Sequence, residues 1–164
     1  MATIRKIISG HKSRNNGLRF EAILLHSAFR GGWTGMKLPE GGKQVHRKFI
    51  RVPVQFDFIF AKQGTVIFAD AKTTIASSYA HSQITRHQVD ELLRLEKAGC
   101  YAGYIINFET KNQVRFYQAS QLDQLRRGES LNDQSGILLG SSESIDLGQI
   151  VKVNSTTNGV TDGK

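Results

Sequence analysis

Asp70 and Lys72 stand two positions apart in the stretch GTVIFADAKTT, whose alternating pattern predicts a β-strand. Alternate side chains of a strand share a face, so this carboxylate and this ammonium group are expected side by side. If the preceding strand pairs with it through a short turn at residues 62–64, Asp57 comes near Asp70. Neighbouring carboxylates repel each other unless a cation lies between them, and their hard oxygen atoms favour Mg²⁺ or Mn²⁺.

A cation held in this way would support hydrolysis of a phosphate ester. Such an ion keeps coordination positions open for water and for a substrate phosphate. Lys72, beside it, could orient the attacking water or stabilise the negative charge of the transition state. The Asp-x-Lys triplet alone is a weak motif, because an ordinary surface hairpin carries the same charges. The position of Asp57 between Phe56 and Phe58 predicts that its carboxylate points away from both rings.

A third carboxylate, Glu21, falls in the middle of a predicted helix. Three of its neighbours three and four positions away on the helix are leucines, which places Glu21 in the centre of an apolar stripe: Leu18, Leu24 and Leu25. An unpaired carboxylate buried there would be strongly destabilising. The position therefore indicates a partner for Glu21 and makes it a candidate member of the same metal site.

Gln88 is the corresponding polar residue of a second predicted helix. It lies on the same arc as Ile84, Leu92 and Leu95, so its amide is aimed at the core. A buried glutamine can also be satisfied by purely structural hydrogen bonds, and this alternative stays open for Gln88. His87 lies off that arc, which predicts a solvent-exposed side chain that at most contacts a phosphate.

The helices that position these residues follow from hydrophobic periodicity and capping signals. We predict a helix that starts at residues 15–17, covers residues 18–29 and stops at residues 31–32. A second helix is predicted at roughly residues 81–97 and ends at Gly99. A third, short helix is predicted at residues 120–128, where Ser120 and Asp123 would form a capping box.

The strands are predicted at residues 53–60, 64–74, 100–108 and 113–120. Between the first helix and these strands, residues 31–52 are rich in glycine and cations and predict an irregular basic excursion, a loop or a loose hairpin. The order of elements predicts a mixed α/β fold in one domain over residues 1–153. Residues 154–164 have little to bury and predict a disordered tail.

The net charge of +8 is concentrated in the first third of the chain. Residues 1–51 contain eleven Lys and Arg against two acidic residues, whereas the remainder carries eleven basic and twelve acidic residues. Such an asymmetry is typical of nucleic-acid-binding proteins, although general solubility could also explain it. The candidate DNA contacts are Arg14, Lys37, Lys43, Arg47, Lys48, Arg51 and His87.

Composition also excludes several classes of protein. The single cysteine, Cys100, excludes an intrachain disulfide and a cysteine-built zinc site, and a small buried thiol is expected there. No apolar run reaches the length of a membrane span, and residues 7–8 are too short for the apolar part of a signal peptide. We therefore expect an intracellular, cytoplasmic protein without a membrane partner.

Taken in order, Glu21, Asp57 and the D-A-K triplet at Asp70 to Lys72 resemble the PD-(D/E)xK nuclease superfamily. More narrowly, the chain resembles the RecU family of Holliday junction resolvases. The resemblance covers most of residues 15–122, in four stretches: NNGLRFEAILLHS, FDFIFAKQGTVIFADAKTT, RHQVDELLRLEKAGCYAGYIINF and VRFYQASQL. The D-A-K core is weak alone, whereas the ensemble with N-x-G-x-x-x-E and the H-Q helix is fairly specific.

The resemblance implies a restriction-endonuclease-like fold, with a central mixed sheet flanked by helices, and a homodimer that cuts four-way DNA junctions by paired, magnesium-dependent nicks. It implies that Asp57, Asp70 and the backbone carbonyl of Ala71 bind the metal, with Lys72 serving the nucleophile. Gln88 would support the site, and Glu21 would be its helix-borne acid. The family carries a stalk that enters the junction; here it corresponds to residues 31–52, with Trp33, Lys37, Lys43, Arg47, Lys48 and Arg51.

The chain departs from the family pattern at three places. Asp70 stands where RecU members generally have Glu, and no proline directly precedes Asp57, although Pro53 is near. The stalk-like segment is short and glycine-rich, which bears on junction selectivity more than on catalysis and is compatible with a phage enzyme. Two alternatives stay open: a restriction-like or duplex-nicking endonuclease with the same metal site, and a non-catalytic DNA-binding module.

Overall fold

The computed structural model describes residues 2–39, 41–45, 48–52 and 55–158, with side chains described for residues 15–39 and 55–154. The helices are α1 (Ala2–Arg30), α2 (Arg86–Lys97), α3 (Ala119–Gln124) and α4 (Gly148–Asn158), and short 3-10 turns lie at His81–Gln83 and Glu109–Lys111. The strands are β1 (Thr34–Lys37), β2 (Gly41–Val45), β3 (Lys48–Val52), β4 (Phe58–Lys62), β5 (Thr65–Thr74), β6 (Ser78–Ala80), β7 (Tyr101–Phe108), β8 (Gln113–Gln118), β9 (Ser130–Asn132), β10 (Ile137–Ser141) and β11 (Ser144–Ile145).

Within these residues, seven strands form one sheet in the order β1-β4-β5-β7-β8-β10-β11. β5 and β7 run parallel, whereas the other neighbouring strands are antiparallel. A parallel pair requires a crossover connection, and α2 lies in this one. Separate two-stranded sheets are formed by β2 with β3 and by β6 with β9. The predicted mixed sheet is confirmed.

Helices cover both faces of this sheet, and the alternation of side chains along β5 separates two cores. Ile67 and Ala69 lie in the core cluster to which α1 and α4 contribute, with Phe20, Leu24 and Ile150. Phe68 packs against the second cluster, to which α2 and α3 contribute, with Val89, Leu92, Tyr104 and Leu122. Because Asp70 follows Phe68 by two positions, it lies on the face that α2 covers.

The turn between β4 and β5 lies at residues 62–64, as predicted. Gln63 and Gly64 have φ values of 48° and 80°, the left-handed conformation that a tight two-residue hairpin turn requires. The resulting register places Phe58 opposite Ala69. The residue that precedes β4 is thereby brought next to the middle of β5.

α1 begins earlier than the predicted first helix. It runs without interruption from Ala2 through residues 15–17, where we expected it to start. That expectation is wrong because a glycine inside a helix costs only about 1 kcal/mol relative to alanine, which does not suffice to stop a long helix. The predicted stop is confirmed, since Gly32 has a φ of 76° and the Gly31 N–H donates to the Ser27 carbonyl at 3.0 Å.

α2 also differs from prediction at its start. It begins at Arg86 rather than at residue 81, because residues 81–83 form a 3-10 turn. Its end is as predicted: Gly99 follows with a φ of 90°, and the Gly99 N–H donates to the Glu96 carbonyl at 2.9 Å.

The capping box predicted for Ser120 and Asp123 is wrong. α3 begins at Ala119, one residue before Ser120, and the Ser120 hydroxyl donates to Glu96 at 2.7 Å. Asp123 instead accepts a hydrogen bond from Arg86 at 2.7 Å. Both side chains therefore connect α3 to α2, and their contacts depend on how the helices pack.

We predicted an irregular basic excursion for residues 31–52, but this segment contains the three strands β1, β2 and β3. β1 joins the main sheet beside β4, and Trp33 is buried, with 5% of its surface exposed. Assigning Trp33 to a stalk is therefore wrong, because it belongs to the core cluster under α1. The loose hairpin that we predicted is confirmed over β2 and β3, where Gly41 pairs with Val52 and Val45 with Lys48.

The C-terminal part holds elements that the sequence did not predict, namely β9, β10, β11 and α4. The disordered tail predicted from residue 154 is wrong as far as Asn158, where α4 ends, and residues 159–164 lie outside the described residues. Cys100 is partly exposed rather than buried. In the described part of the chain, no helix has the length and apolar character needed to cross a membrane.

Candidate active site

Asp70 and Lys72 lie on the α2 side of β5, beyond Phe68. The Asp70 side chain is fully buried, and Lys72 Nζ lies 2.5 Å from its Oδ2. The Lys72 side chain keeps 24% exposure, so the ion pair reaches solvent through the lysine. The predicted side-by-side placement of the carboxylate and the ammonium group is confirmed.

Asp57 lies in a bend directly before β4 and is fixed to β5 at two points. Its backbone N–H donates to the Ala69 carbonyl at 3.1 Å, and its Oδ2 accepts from the Ala71 N–H at 3.1 Å. These two contacts lie on either side of Asp70 in the sequence. Asp57 is therefore near Asp70, as the predicted hairpin required.

The predicted orientation of Asp57 relative to its two phenylalanine neighbours is wrong. Phe58 lies in the core cluster under α1, whereas Phe56 packs with the α2-side cluster, its ring edge against Phe68 at a centroid distance of 5.1 Å. The two rings point to opposite sides of the sheet. Strand alternation does not apply, because Asp57 precedes the first residue of β4.

Gln88 reaches the site from α2, as its place on the apolar arc predicted. Its Nε2 donates to Asp70 Oδ1 at 2.8 Å, and its Oε1 accepts from the Tyr104 hydroxyl at 3.1 Å. The Tyr104 ring also lies near Lys72, whose Nζ is 5.4 Å from the ring centroid. Sequence reasoning missed Tyr104, because a tyrosine in a buried strand carries no signal beyond a hydroxyl that needs a partner.

Burial and charge set the protonation of this pair. Burial raises the pKa of Asp70 to about 7; attraction by Lys72 opposes this rise, and the Asp57 carboxylate adds to it. Burial lowers the pKa of Lys72, but the Asp70 carboxylate raises it by more, so the net pKa of Lys72 lies above its ordinary value. Lys72 is therefore an ammonium group, and Asp70 ionises only near neutral pH.

The residues fit a divalent cation. Asp70 Oδ2 is buried, and the Lys72 ammonium is the cation paired with it within the described residues. With Oδ1 held by Gln88, Oδ2 is the oxygen left for a metal, and Asp57 supplies a second hard donor. No three acidic, histidine or cysteine side chains within the described residues form a metal-binding group. The carbonyl of Ala71 stays a predicted ligand.

Glu21 does not occupy the centre of the apolar stripe of α1, and that prediction is wrong. The buried side of the helix carries Phe20 and Leu24, whereas Leu18 is 54% exposed. Glu21 lies beside this buried side and forms an ion pair with Lys37, which is opposite Phe58 in the sheet register. Its partner is thus a lysine next to the start of β4, and a role in metal binding stays a prediction.

The candidate DNA contacts are only partly covered by the described side chains. Lys37 is engaged with Glu21, and His87 is exposed on α2, as predicted. Lys43, Lys48 and Arg51 lie on the strands of the β2–β3 hairpin, and Arg14 lies in α1, in segments whose side chains are outside the description. Arg47 lies outside the described residues.

A mixed sheet with an inner strand that carries Asp-x-Lys, and with a second aspartate fixed beside it, is the arrangement expected of a restriction-endonuclease-like nuclease fold. A solved structure of similar fold is that of Hjc from Archaeoglobus fulgidus, a Holliday junction resolvase from an archaeal hyperthermophile. The similarity has a TM-score of 0.54 at 16% sequence identity and covers 72% of this chain and 89% of that chain. None of the curated proteins compared with the chain matched it.

The chain belongs to the RecU family, described as Recombination protein U, whose sequence model matches residues 34–140. The matched region contains Asp57, Asp70, Lys72 and Gln88, whereas Glu21 precedes it. The chain is therefore a Holliday junction resolvase, an endonuclease that binds branched DNA and uses a divalent metal, as the resemblance implied.

Proposed function

We propose that this endonuclease hydrolyses phosphodiester bonds of four-way junctions at a site formed by Asp57, Asp70 and Lys72, with Mg²⁺ as its natural cation and Mn²⁺ as a substitute. The observation that carries the proposal is the fixing of Asp57 to the backbone on both sides of Asp70. These two hydrogen bonds hold the Asp57 carboxylate near the Asp70 carboxylate. Two neighbouring carboxylates repel each other, and a cation between them removes the repulsion.

Asp57 and Asp70 hold the cation in this proposal. When bound, a divalent cation would polarise the scissile phosphate and lower the pKa of a bound water. Asp57 retains a preset orientation, because the Ala71 N–H holds its Oδ2. Asp70 contributes its second oxygen, while Gln88 holds the first.

Lys72 acts as a charged donor rather than as a base. Its raised pKa leaves it protonated at neutral pH, so it has no lone pair with which to take a proton from water. An ammonium group at the solvent-facing edge of Asp70 can orient the attacking water and stabilise negative charge on the phosphate oxygens. The lysine also neutralises Asp70 before the substrate arrives.

The substrate requires two sites that cut opposing strands, so we propose a homodimer acting on branched DNA inside the cell. The hairpin β2–β3 and the basic residues around it are the proposed DNA-contacting part of the stalk-like segment. The small size of the protein and its short stalk-like segment are consistent with a phage origin. Sedimentation analysis tests the assembly, because a monomer that still makes paired nicks would contradict it.

Incubation with a mobile four-way junction and Mg²⁺ tests the proposed function. We expect symmetric nicks on opposing strands, mapped on all four strands, and much slower cutting of the linear arms alone. Equal rates on junction and linear duplex would instead support a restriction-like or duplex-nicking enzyme. Absence of cutting, together with no Mg²⁺-dependent rise of the melting midpoint, would support a non-catalytic DNA-binding module.

Salt dependence tests the basic hairpin. Each phosphate contact adds about 0.9 to the slope of log affinity against log salt. Replacing Lys43, Arg47, Lys48 and Arg51 together by alanine should therefore reduce the slope by up to about 3.6. Binding of a labelled junction is measured over a salt series, and an unchanged slope would remove this segment from the interface.

The affinity for Mg²⁺ should depend on pH through Asp70. Because its folded-state pKa of about 7 lies above the ordinary 3.8, protons compete with the cation, and affinity should rise with pH and level off above 7. By the same linkage, the stabilisation of the metal-free fold by protonated Asp70 is complete below about 4 and is lost as pH rises through 7. Calorimetric Mg²⁺ titrations and metal-free melting curves on both sides of pH 7 measure the two effects. An Mg²⁺ affinity that is independent of pH would contradict the assignment.

A further inference from the structure

The Tyr104 hydroxyl is one end of a hydrogen-bond chain that reaches Asp70. In the parallel register of β5 and β7, Tyr104 pairs with Asp70. Its hydroxyl donates to Gln88 Oε1 at 3.1 Å, and Gln88 Nε2 donates to Asp70 Oδ1 at 2.8 Å. The ring of the same tyrosine lies near Lys72, at 5.4 Å from Nζ to the ring centroid. Tyr104 thus contacts two neighbours of the proposed metal ligand.

The direction of the hydrogen bonds along this chain is set by Asp70. In the ionised form that would bind a metal, Asp70 only accepts hydrogen bonds, so Gln88 must turn its amide NH₂ toward Asp70. The Gln88 carbonyl oxygen then needs a donor of its own, and the Tyr104 hydroxyl supplies it. Without that donor the Gln88 carbonyl oxygen loses its hydrogen-bond partner, and the amide is held only at its contact with Asp70.

We propose that Tyr104 is a positioning residue for metal binding: its hydroxyl fixes the Gln88 amide, which holds Asp70 Oδ1 and leaves Oδ2 to the cation. This inference rests on the proposed function, because it takes Asp70 as a metal ligand. Tyr104 is fully buried, so bulk water does not reach its hydroxyl position. Removal of such outer hydrogen bonds typically weakens metal affinity or activity by about 10- to 100-fold.

Tyr104→Phe tests the proposal, because it retains the ring beside Lys72 and removes only the hydroxyl. We expect the Mg²⁺ concentration that half-saturates cleavage to rise about 10-fold, while the rate at saturating Mg²⁺ falls less than about 3-fold. Calorimetric titration of the DNA-free protein with Mg²⁺ should show the same loss of affinity. This second readout measures binding without cleavage.

Tyr117→Phe is the matched control. Tyr117 pairs with Tyr104 on the neighbouring strand β8, is 1% exposed, and donates its hydroxyl to the Asn132 carbonyl. The control therefore removes the same atom from an equally buried tyrosine, with a similar expected effect on the melting midpoint. Its Mg²⁺ affinity should equal that of the wild type, and an equal weakening in both variants would overturn the role of Tyr104.

A double-mutant cycle tests whether Tyr104 acts through Gln88. In a Gln88→Leu background, Tyr104→Phe should weaken Mg²⁺ binding no further. Additive losses, or a Tyr104→Phe protein with wild-type Mg²⁺ affinity, would overturn the inference while leaving the proposed function intact. A wild-type protein that neither binds Mg²⁺ nor needs it for cutting would overturn the proposed function instead.

Discussion

Asp70→Asn is expected to lower Mg²⁺-dependent junction cleavage by about 1000-fold or more without loss of junction binding. The substitution keeps the side-chain shape, and its oxygen can still accept the hydrogen bond from Gln88. It removes the negative charge that, together with Asp57, would hold the cation. The rate of strand cutting at saturating Mg²⁺ measures the first effect, and a metal-free binding assay on the same junction measures the second.

The same variant should lose much of the pH dependence of its metal-free stability. Burial raises the pKa of Asp70 to about 7, and an asparagine has no proton to release in that range. Asp133→Asn is a suitable control, because Asp133 is another buried acid, 7% exposed, with its Oδ2 3.9 Å from Lys111 Nζ. That control should cut normally. A folded Asp70→Asn protein that cuts at the wild-type rate would refute the site.

Lys72→Ala is expected to reduce the cutting rate at saturating Mg²⁺ by about 100- to 1000-fold. The lysine is the only described cation in contact with Asp70, and its ammonium pairs with the oxygen that we assign to the metal. Lys72 also opposes the rise of the Asp70 pKa, so its removal should weaken Mg²⁺ binding near pH 7, where a proton then competes for Asp70. At a pH well above 7, where Asp70 is ionised in both proteins, the Mg²⁺ affinity should not fall. Rate and half-saturating Mg²⁺ concentration, measured together at that higher pH, separate this pattern from the one expected for Tyr104→Phe.

Lys62→Ala is the control for the lysine variant. Lys62 Nζ donates to the Gly31 carbonyl at 2.6 Å and lies 5.9 Å from the Trp33 ring centroid, in contacts separate from those of Asp70. Its loss should change stability slightly and cleavage not at all. A Lys72→Ala protein that retains wild-type cutting would show that the ammonium group serves the fold rather than the reaction.

The sequence predicted those parts of the site that depend on local periodicity. Asp70 and Lys72 share a face because of strand alternation, and Asp57 meets them through a tight turn. Glu21 shows where such reasoning stops, because a helical wheel gives the neighbours of a residue but not the side that packs on the sheet. The position of Tyr104 beside Asp70 could not be predicted, because it follows from the parallel register of β5 and β7. That register depends on how the crossover through α2 packs on the sheet.

For the fold, the elements with clear periodicity or capping signals up to residue 124 were predicted, whereas β1 and the elements after α3, including α4, were missed. β1 has four residues and two of them, Gly35 and Lys37, carry no strand signal, so its place beside β4 depends on tertiary pairing. β9, β10 and β11 are similarly short. The start of α1 was missed because polar residues at 15–17 resemble a cap, whereas a helix already formed continues more easily than a new one nucleates.

The proposed hydrolytic groups and the residue that positions them all lie within residues 57–104, whereas the β2–β3 hairpin precedes that stretch and forms its own two-stranded sheet. In the proposed function, the hairpin would therefore select the branched DNA, and a separate stretch of chain would break the bond. Lengthening, shortening or recharging the hairpin would then change which branched DNAs the enzyme binds. The hydrolytic centre would carry over unaltered.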